Sequence, residues 1–308
     1  MRVFRHFHQA DGCPLALAIG NFDGVHLGHQ ALLQRLRTEA AVRGLKPAVM
    51  TFEPHPREFF TPQQAPARLT SLREKLELFA EAGVEYAYVC PFNRRFAAVT
   101  AADFMQRIVR EAMKAEVILV GEDFRFGASR AGSATDFSSA GFTLVNLPQV
   151  MLAGERISST AVRDALAEAD LERAARLLGR SYSISGKVVH GDKIGRQLGY
   201  PTANIHMLHD RPPLFGVYAV KLEGLAAAHL PGVASLGVRP TVKANDRPKL
   251  EVHLFDFDQD IYGRHVRVHF LHKIRDEMKF ADLATLKQWI QADESVARNY
   301  FSSLSLPT

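Results

Sequence analysis

The sequence has few of the features that mark secreted or membrane-spanning proteins. Its two cysteines, Cys13 and Cys90, are far apart and outside any Cys-x-x-Cys pattern. This argues against a disulfide framework and against a structural zinc site built on cysteine. No run approaches the roughly 18 apolar residues that a membrane-spanning helix needs, and the basic residues 1–8 precede only a short apolar run. We therefore expect a cytoplasmic protein without a membrane partner.

Dense clusters of positive charge are also missing. The net charge is +5 and the isoelectric point is near 9.2, but Lys and Arg are scattered along the chain. A scattered positive charge suits small anionic substrates as well as nucleic acid, so a nucleic-acid-binding protein stays an alternative. Such a protein would bind DNA in a salt-sensitive way without turning over ATP. A hydrophobic content of 47% and a length of 308 residues are enough for two globular domains.

A glycine-rich string, Gly20-Asn-Phe-Asp-Gly-Val-His-Leu-Gly-His29, separates an apolar run from a helical pattern over residues 30–43. The pattern predicts a strand, a tight loop and a helix. The first N–H groups of such a helix and the positive end of its dipole favour an anion in the loop. Three glycines would let a phosphate approach the backbone, namely Gly20, Gly24 and Gly28.

Two histidines in this string, His26 and His29, can donate hydrogen bonds to phosphate oxygens. Two other interpretations stay open: a plain turn with two surface histidines, and a zinc pair completed by Asp23. The phosphate-loop pattern G-x-x-x-x-G-K-[ST] and the dinucleotide fingerprint G-x-G-x-x-G are both absent from the string.

The first half alternates short apolar runs with helical patterns. Runs at 47–52, 85–90 and 116–121 are interleaved with helices predicted over 30–43, 68–79 and 101–113, which predicts a parallel, doubly wound sheet. In the second of these helices, residues 73–75 form the polar face. The small residues of 128–139 predict a mobile loop.

Polar strings follow the predicted strands, where open α/β sheets bind ligands. The segment Glu53-Pro-His-Pro56 follows the second strand, and Gly121-Glu-Asp-Phe-Arg-Phe-Gly127 follows a later one. Each is also explained by a rigid turn or a strand exit alone. Ser158-Ser-Thr160 precedes a helical run, so its hydroxyls cap a helix, and with Arg163 they also make an anion site.

The pattern changes near residues 180–183. Short alternating segments follow, which predict a small antiparallel barrel. These segments cover residues 182–189, 216–222, 232–236, 250–255 and 265–271. Residues 282–300 predict a final helix packed on the barrel.

The string from Gly186 to Asn204 combines three glycines spaced by four with Pro-Thr-Ala-Asn. The glycines and Pro201 argue against a helix and favour a flap whose N–H groups wrap phosphates, although an unsupported loop is the alternative. Thr202 and Asn204 offer oxygen ligands suited to Mg²⁺ shared with ATP.

Residues 250–257 alternate, so Leu250 and Val252 share one face while Glu251 and His253 share the other. A carboxylate on the second face is ordinarily solvated, and we assign His253 to packing or solvent. The acidic turn 256–263 lacks the glycine and final glutamate spacing of a calcium loop.

Five of these strings, in this order, resemble the prokaryotic bifunctional riboflavin kinase/FMN adenylyltransferase family, also called FAD synthetases. The resemblance implies an α/β plus β protein: a doubly wound, Rossmann-like nucleotidyltransferase domain over residues 1–180, then a β-barrel riboflavin kinase domain with a C-terminal helix over residues 181–308. It implies that ATP phosphorylates riboflavin to FMN in the second domain and adenylylates FMN to FAD, with release of pyrophosphate, in the first.

The resemblance also implies roles for individual residues. The catalytic residues would be His26 and His29 in adenylyl transfer and Glu251 as the base of the kinase. The residues that bind ATP in the adenylyltransferase would be Gly20, Asn21, Phe22, Asp23, Gly24, Gly28, Ser159, Thr160 and Arg163. Flavin candidates are Phe52, Pro56 and Asp123, the last standing where many relatives carry Asn. The kinase would hold ATP with Gly186, Gly191, Gly195, Gly199, Thr202 and Asn204, the last two sharing Mg²⁺ with the nucleotide.

The expected ligands are riboflavin, FMN, FAD and ATP with Mg²⁺, without a tightly bound organic cofactor and without nucleic acid. The sequence leaves a weak homo-oligomer open. A nucleotidyltransferase with a single activity is the nearest alternative, but it would leave residues 191–204 without a task.

Overall fold

The computed structural model describes residues 1–7, 12–191, 195, 198–208, 211–238 and 247–304. The chain forms two compact units. The first comprises Met1–Pro66 and Thr70–Ser159, and the second comprises Ala67–Leu69 and Thr160–Thr308. The division after Ser159 comes earlier in the chain than the boundary at residue 180 that we predict from the sequence.

A parallel sheet forms the centre of the first unit. The strands of this unit, in chain order, are β1 (Arg2–Phe4), β2 (Leu15–Ile19), β3 (Lys46–Glu53), β4 (Tyr86–Pro91), β5 (Ala115–Gly121), β6 (Arg125–Phe126), β7 (Gly132–Ser133), β8 (Thr143–Leu147), β9 (Met151–Leu152) and β10 (Glu155–Arg156). The sheet has the order β1-β4-β3-β2-β5-β8, and each neighbouring pair is parallel. The pairs β6–β7 and β9–β10 are short antiparallel ribbons.

Helices cover both faces of this sheet. They are α1 (Leu27–Arg43), α2 (Pro56–Phe60), α3 (Leu72–Glu81), α4 (Arg94–Ala97), α5 (Ala101–Asp103), which continues as a π-helical segment (Phe104–Ala112), and α6 (Ala134–Ser139); Pro62–Gln64 and Ala128–Arg130 are 3₁₀ turns. Strand β2 is buried throughout. Its Leu17 packs in a cluster with Phe104, whereas Ala18 packs in another with Leu33 of α1 and Phe79 of α3. The prediction of a doubly wound domain is confirmed.

Three local predictions for this unit are wrong. Helix α1 begins at Leu27 instead of residue 30, because the His26 side chain caps it. Residues 128–139 are not a loop, since Ser133 and Asp136 form a capping box that starts α6. In α3, Lys75 does not belong to a solvated face: its side chain is buried and its Nζ lies 3.4 Å from the Thr51 hydroxyl.

A closed antiparallel barrel forms the centre of the second unit. Its strands are β11 (Ser183–Val189), β12 (Ala203–Met207), β13 (Gly216–Glu223), β14 (Leu230–Gly237), β15 (Lys249–Leu254) and β16 (His265–Arg275), in the order β11-β12-β15-β14-β13-β16. The predicted barrel is confirmed, but the sequence analysis omitted β12. Within β12 only Ile205 is fully buried, so the strand lacks a clear apolar alternation.

In its described part, the second unit also contains the helices α7 (Ser159–Ala167), whose first residue belongs to the first unit, α8 (Leu171–Leu178) and α9 (Leu283–Leu304). Helix α9 packs on the barrel through Ala297, which joins Ala219 and Phe255 in a buried cluster. Among the described residues, none of the helices has both the length and the apolar composition needed to cross a bilayer.

Candidate active sites

The first candidate site is the loop between β2 and α1. Its backbone takes left-handed φ values of 51° at Phe22, 82° at Gly24 and 41° at Val25. Such values are uncommon for residues with a side chain, so the surrounding contacts must hold them. The Phe22 ring is 1% exposed and meets Phe79 of α3 edge to face, with 5.2 Å between ring centroids. The aromatic contact therefore anchors the loop in the core.

A buried carboxylate fixes the loop to the start of α3. The N–H and the hydroxyl of Thr70 both donate to Asp23 Oδ1, at 3.1 and 3.2 Å, and the Gly24 N–H donates to the Thr70 hydroxyl at 3.0 Å. The Ser159 hydroxyl donates to the Asp23 backbone carbonyl at 2.8 Å. The structure thus brings the predicted residue Ser159 to the loop, and it gives Asp23 a role in holding the loop's shape.

His26 and His29 lie together over the start of α1. The Nδ1 of His26 accepts from the His29 N–H at 3.3 Å, and the two rings stack with centroids 3.7 Å apart. Because Nδ1 is the acceptor, a neutral His26 ring carries its proton on Nε2 and can donate it. A side chain at Gly28 would bring its Cβ within 3.2 Å of the His26 ring, so glycine leaves room for this stack.

The surroundings of these rings suit an anion. Burial, together with the nearby His26 and Lys75 charges, holds the pKa of His29 well below its ordinary value, so the ring is neutral at pH 7. The Nδ1 of His29 and the Oδ1 of Asn21 are enclosed without a hydrogen-bond partner. An enclosed polar atom without a partner costs about 1–3 kcal/mol, which a bound ligand or water can recover.

The zinc interpretation of this loop lacks a third ligand. The Asp23 Oδ1 accepts hydrogen bonds from Thr70. Within the described part of the chain, no group of three His, Cys, Asp or Glu donors includes His26 and His29. Structural zinc sites need four such ligands and catalytic ones three, so the loop is better suited to an anion.

Aromatic side chains cluster where β3 and β4 end. The ring of Phe52 lies 6.0 Å from that of Phe92, and Phe59 and Phe60 of α2 each lie 5.6 Å from Phe92. The Phe60 side chain is 62% exposed. The sequence analysis named Phe52 and Pro56, the first residue of α2, but missed Phe60 and Phe92. The sequence feature that could have indicated these two residues is the high density of phenylalanines just after the ends of two strands.

Asp123 follows β5, and its carboxylate pairs with Arg156 of β10 at 2.5 Å, although both side chains are more than half exposed. The sequence analysis did not foresee this partner. Thr160 and Arg163, predicted to hold phosphate, belong to the second unit, where the Arg163 Nε donates to the Ala67 carbonyl at 2.6 Å. Their predicted role stays a prediction.

The second candidate site lies in the barrel. Asn204 of β12 pairs directly with Glu251 of β15, and Ser235 of β14 pairs with Glu251 from the other side. Directly paired residues point to the same face of a sheet, with Cβ atoms roughly 5 Å apart. Leu250 and Val252, on either side of Glu251 in β15, point to the opposite face and are buried, as the alternation predicts. The predicted base and the predicted Mg²⁺ ligand are therefore neighbours.

Glycines of the predicted flap lie against the other predicted ligand residues, although Gly195 is helical where the sequence analysis argued against a helix. A Cβ on Gly191 would lie 2.2 Å from Asn204 Nδ2, and one on Gly195 would lie 3.3 Å from the Thr202 hydroxyl. A residue with a side chain at either position would push these groups apart. Gly186 differs, because its missing side chain makes room for the His206 carbonyl of the adjacent strand. Residues 192–194 and 196–197 of the predicted flap lie outside the described residues.

Thr202 and Glu251 line a common cavity of about 480 Å³ in the second unit. This volume falls in the range of small-molecule sites, roughly 300–1,000 Å³. The remaining lining includes Tyr200, Val217, Val233, Met278, Phe280, Leu286 and Ile290. Apolar side chains of β13, β14 and α9 thus face the polar edge formed by Thr202 and Glu251.

An enclosed ion pair borders this cavity and was missed by the sequence analysis. Arg275 Nε and Nη2 each donate to Asp293 at 2.8 Å, and the guanidinium lies 5.5 Å from the Phe280 ring and 5.3 Å from the Trp289 ring. The pair connects β16 with α9. Arg275 and Asp293 lie 18 positions apart in the sequence, so no local sequence pattern predicts their pairing.

His253 holds the segment that carries Thr202. Its Nδ1 donates to the Pro201 carbonyl at 2.9 Å, and its ring meets that of Tyr200 edge to face. The interpretation of His253 as a packing or solvent residue is therefore incomplete. Since Nδ1 donates here, the contact sets the ring's tautomer.

Comparison with known proteins assigns each half of the chain to a known family. Residues 8–161 match the FAD synthetase family, and residues 178–301 match the riboflavin kinase family. The chain is 48% identical over 308 residues to the bifunctional riboflavin kinase/FMN adenylyltransferase of Escherichia coli (strain K12), with 98% of each chain covered. The chain belongs to the bifunctional riboflavin kinase/FMN adenylyltransferase family.

Another member of this family, from Pseudomonas fluorescens, is 47% identical over 306 residues, with 97% of each chain covered. A solved structure from Streptococcus pneumoniae, described as a macrolide-efflux protein, is 32% identical, with a TM-score of 0.79 over 97% of this chain and 98% of that one. The resemblance stated from the sequence is confirmed, and the chain is both a riboflavin kinase and an FMN adenylyltransferase. A nucleotidyltransferase with a single activity is set aside by the second family match.

Proposed function

We propose that the two reactions are divided between the two candidate sites, with residues 1–180 as the adenylyltransferase domain and residues 181–308 as the kinase domain. The observation that carries the proposal is the direct pairing of Glu251 with Asn204 beside a cavity that Glu251 shares with Thr202. A carboxylate and a hydroxyl thus line a largely apolar pocket of the size of a small molecule, and the Asn204 amide is carried by the strand beside Glu251.

In the kinase site, Glu251 accepts the proton of the ribityl 5′-hydroxyl of riboflavin as that oxygen attacks the γ-phosphorus of ATP. The new O–P bond forms as the bond to the β,γ-bridging oxygen breaks, so FMN and ADP are the products. The N–H groups of the flap glycines Gly191, Gly195 and Gly199 hold the phosphates. The isoalloxazine ring fits the apolar part of the cavity.

Thr202 and Asn204 would hold Mg²⁺, since they offer the uncharged oxygen ligands that this ion accepts beside phosphate oxygens. The close approach of Gly191 to Asn204 supports this, because a side chain there would occupy the space in front of the amide. When bound, the ion neutralises charge on the phosphate oxygens.

In the adenylyltransferase site, a phosphate oxygen of FMN attacks the α-phosphorus of ATP, and pyrophosphate leaves. His26 and His29 donate hydrogen bonds to the pyrophosphate, at the positive end of the α1 dipole. The backbone of residues 20–24 and the Asn21 amide hold the nucleotide, and Lys75 adds positive charge. Ser159 contacts the phosphates, and Thr160 and Arg163 stay predicted phosphate-binding residues.

The flavin of the adenylyltransferase stacks on the aromatic cluster at the ends of β3 and β4. Phe52 and Pro56 form part of this surface, and the exposed Phe60 ring offers a further stacking face. Asp123 is a flavin-contact candidate through its exposed carboxylate, which the Arg156 guanidinium holds in place.

The test is product analysis by chromatography of riboflavin with Mg-ATP. We expect His29→Ala to accumulate FMN, with adenylyl transfer reduced roughly 10²–10³-fold through loss of a charge-stabilising donor. We expect Glu251→Ala to lose about 10²–10⁴-fold in phosphorylation, yet to adenylylate supplied FMN normally. The controls His6→Ala and Glu116→Ala remove exposed side chains of the same types. If His29→Ala lost phosphorylation and kept adenylyl transfer, the division of the two sites would be reversed.

We further infer a cytoplasmic protein that acts on small molecules, without a nucleic-acid partner. Neither cysteine forms a disulfide, which suits a reducing compartment. Sedimentation analysis would test whether a weak homo-oligomer forms, and electrophoretic mobility shift at low salt would test for nucleic-acid binding.

A further inference from the structure

Three potential metal ligands converge on the barrel at residues that do not line the cavity. Glu223 ends β13, His229 immediately precedes β14, and His269 lies within β16. One ligand atom from each residue lies within 4.8 Å of the other two. Neither flavin phosphorylation nor adenylyl transfer, as derived above, uses any of them.

The contacts within this group are already close. His269 Nε2 lies 2.9 Å from Glu223 Oε2, and the rings of His229 and His269 stack with centroids 5.2 Å apart and planes 12° from parallel. His229 is exposed, while Glu223 and His269 are part-buried. An ion can therefore reach the group from solvent, and two of its ligands are held by strands whose positions the barrel fixes.

We propose that Glu223, His229 and His269 bind a divalent transition-metal ion of the zinc type. Two imidazoles and one carboxylate are the donor set that Zn²⁺ takes at three-ligand sites, with water as a fourth ligand. Ligands about 2.05 Å from a tetrahedral ion lie roughly 3.4 Å from one another. To meet this requirement, the His269–Glu223 contact of 2.9 Å must open by about 0.5 Å, and the remaining separations of up to 4.8 Å must close by about 1.4 Å or less.

Binding changes the tautomer of the His269 ring. In the metal-free group, Nε2–H of His269 donates to the Glu223 carboxylate. The ion takes the place of that hydrogen between the nitrogen and the oxygen, and the proton moves to Nδ1 of the same neutral ring. No electron is transferred and no co-reactant is needed, because Zn²⁺ has no redox chemistry here.

Neighbouring charge sets the strength and selectivity of the site. Arg267 Nη1 lies 3.9 Å from Glu223 Oε2 and competes with a cation for this carboxylate. We therefore expect micromolar affinity. Mg²⁺ prefers oxygen ligands in octahedral geometry and binds poorly to two imidazoles. The site is thus distinct in chemistry from the Thr202 and Asn204 pair proposed for Mg²⁺.

The bound ion would join separate parts of the barrel. The connection 224–229 links β13 to β14, and His229 at its end would be tied through the ion to β16. Because the ion binds only the folded group, its binding also raises the temperature at which the chain unfolds.

Isothermal titration of ZnCl₂ into the chelator-treated full-length chain, in buffer without nucleotide or Mg²⁺, tests the proposal. We expect one Zn²⁺ per chain in the wild type. We expect affinity reduced roughly tenfold or more in each of Glu223→Gln, His229→Gln and His269→Gln, since even indirect partners of metal ligands change affinity 10–100-fold. The control His206→Gln removes an exposed strand histidine and should leave the affinity unchanged.

His229→Gln keeps the experiment decisive, because this side chain is exposed and its loss does not threaten folding. Visible absorption of bound Co²⁺ gives a second readout, since its intensity reports tetrahedral nitrogen and oxygen ligation. The proposal is overturned if His229→Gln binds Zn²⁺ as tightly as the wild type, if MgCl₂ binds the same group equally well, or if the Co²⁺ spectrum is identical in all variants.

Discussion

Replacing Gly191 by alanine tests whether the flap positions the Asn204 amide for phosphoryl transfer. The new Cβ would lie 2.2 Å from Asn204 Nδ2, where ordinary contact begins near 3.4 Å. The two groups must separate by about 1.2 Å, and the amide is the end of a flexible side chain. Gly191 is not among the residues with a left-handed φ, so the backbone tolerates alanine. The substitution therefore moves a proposed ligand without straining the fold.

A misplacement of about 1 Å in a positioning group costs roughly 10²-fold in rate, or about 2.7 kcal/mol of transition-state stabilisation. We expect kcat/KM for riboflavin phosphorylation to fall by about this factor in Gly191→Ala. Adenylylation of supplied FMN should be unchanged. Both rates are measured by chromatography of the flavins formed with Mg-ATP.

Gly121→Ala is the matched control, because a Cβ there meets nothing within 4 Å and the position needs no left-handed φ. It should leave both rates unaltered. Full phosphorylation by Gly191→Ala would refute the proposed role of the Asn204 amide. Loss of both activities, with a lowered melting temperature, would refute the inference that the substitution acts locally.

Three further predictions concern single side chains. The pKa of the His29 imidazole is lower in the folded chain than in the unfolded chain. As the pH falls, the unfolded chain therefore binds a proton at His29 first. The contribution of His29 to the free energy of unfolding is thus complete above about pH 6.5 and is lost as the pH falls further. Urea unfolding at pH 7.5 and 5.5 should show the wild type losing about 1 kcal/mol more than His29→Asn; equal losses would contradict the neutral ring. Asp293→Ala leaves the enclosed Arg275 guanidinium without its carboxylate partner and should lower the free energy of unfolding, measured in urea, by about 3 kcal/mol. A loss below roughly 1 kcal/mol would show that the pair is solvated. His253→Ala removes the donor to Pro201 and should slow phosphorylation roughly 3–10-fold with adenylylation intact, whereas His253→Asn, which restores a donor, should recover part of the rate; no recovery would point to ring packing instead.

Much of the fold could be predicted because local patterns and the global structure agree. Strand β2 is a continuous apolar run, helix α1 buries Leu32, Leu33, Leu36 and Ala40 at helical spacing, and β15 alternates buried and part-buried residues as its sequence suggests. Strand β12 could not be predicted in this way, since its order depends on pairing with β11 and β15 on either side. Its single buried residue gives no period of its own.

The candidate sites were predictable where a residue acts within its own string. His26 and His29 are separated by about one helical turn, so the stacking of their rings depends only on local geometry. Lys75 was missed because its helix alone suggests a solvated charge, and its burial depends on Thr51 from a distant strand. The partner of Arg275 in α9 was missed for the same reason. Interactions between distant segments carry no signature in either segment alone.

The backbone that carries Glu251 is held by a neighbouring strand on each side. Its strand is hydrogen-bonded on one side to the strand of Asn204 and on the other to that of Ser235, so all three side chains share one rigid wall. Shifting the backbone of Glu251, the proposed proton acceptor, relative to that of Asn204 would require rupturing backbone ladders. Substitutions in the loops of the second unit should therefore change the affinity for ATP and flavin. The spacing between the strands of Glu251 and Asn204, on which the chemical step depends, is set by the barrel.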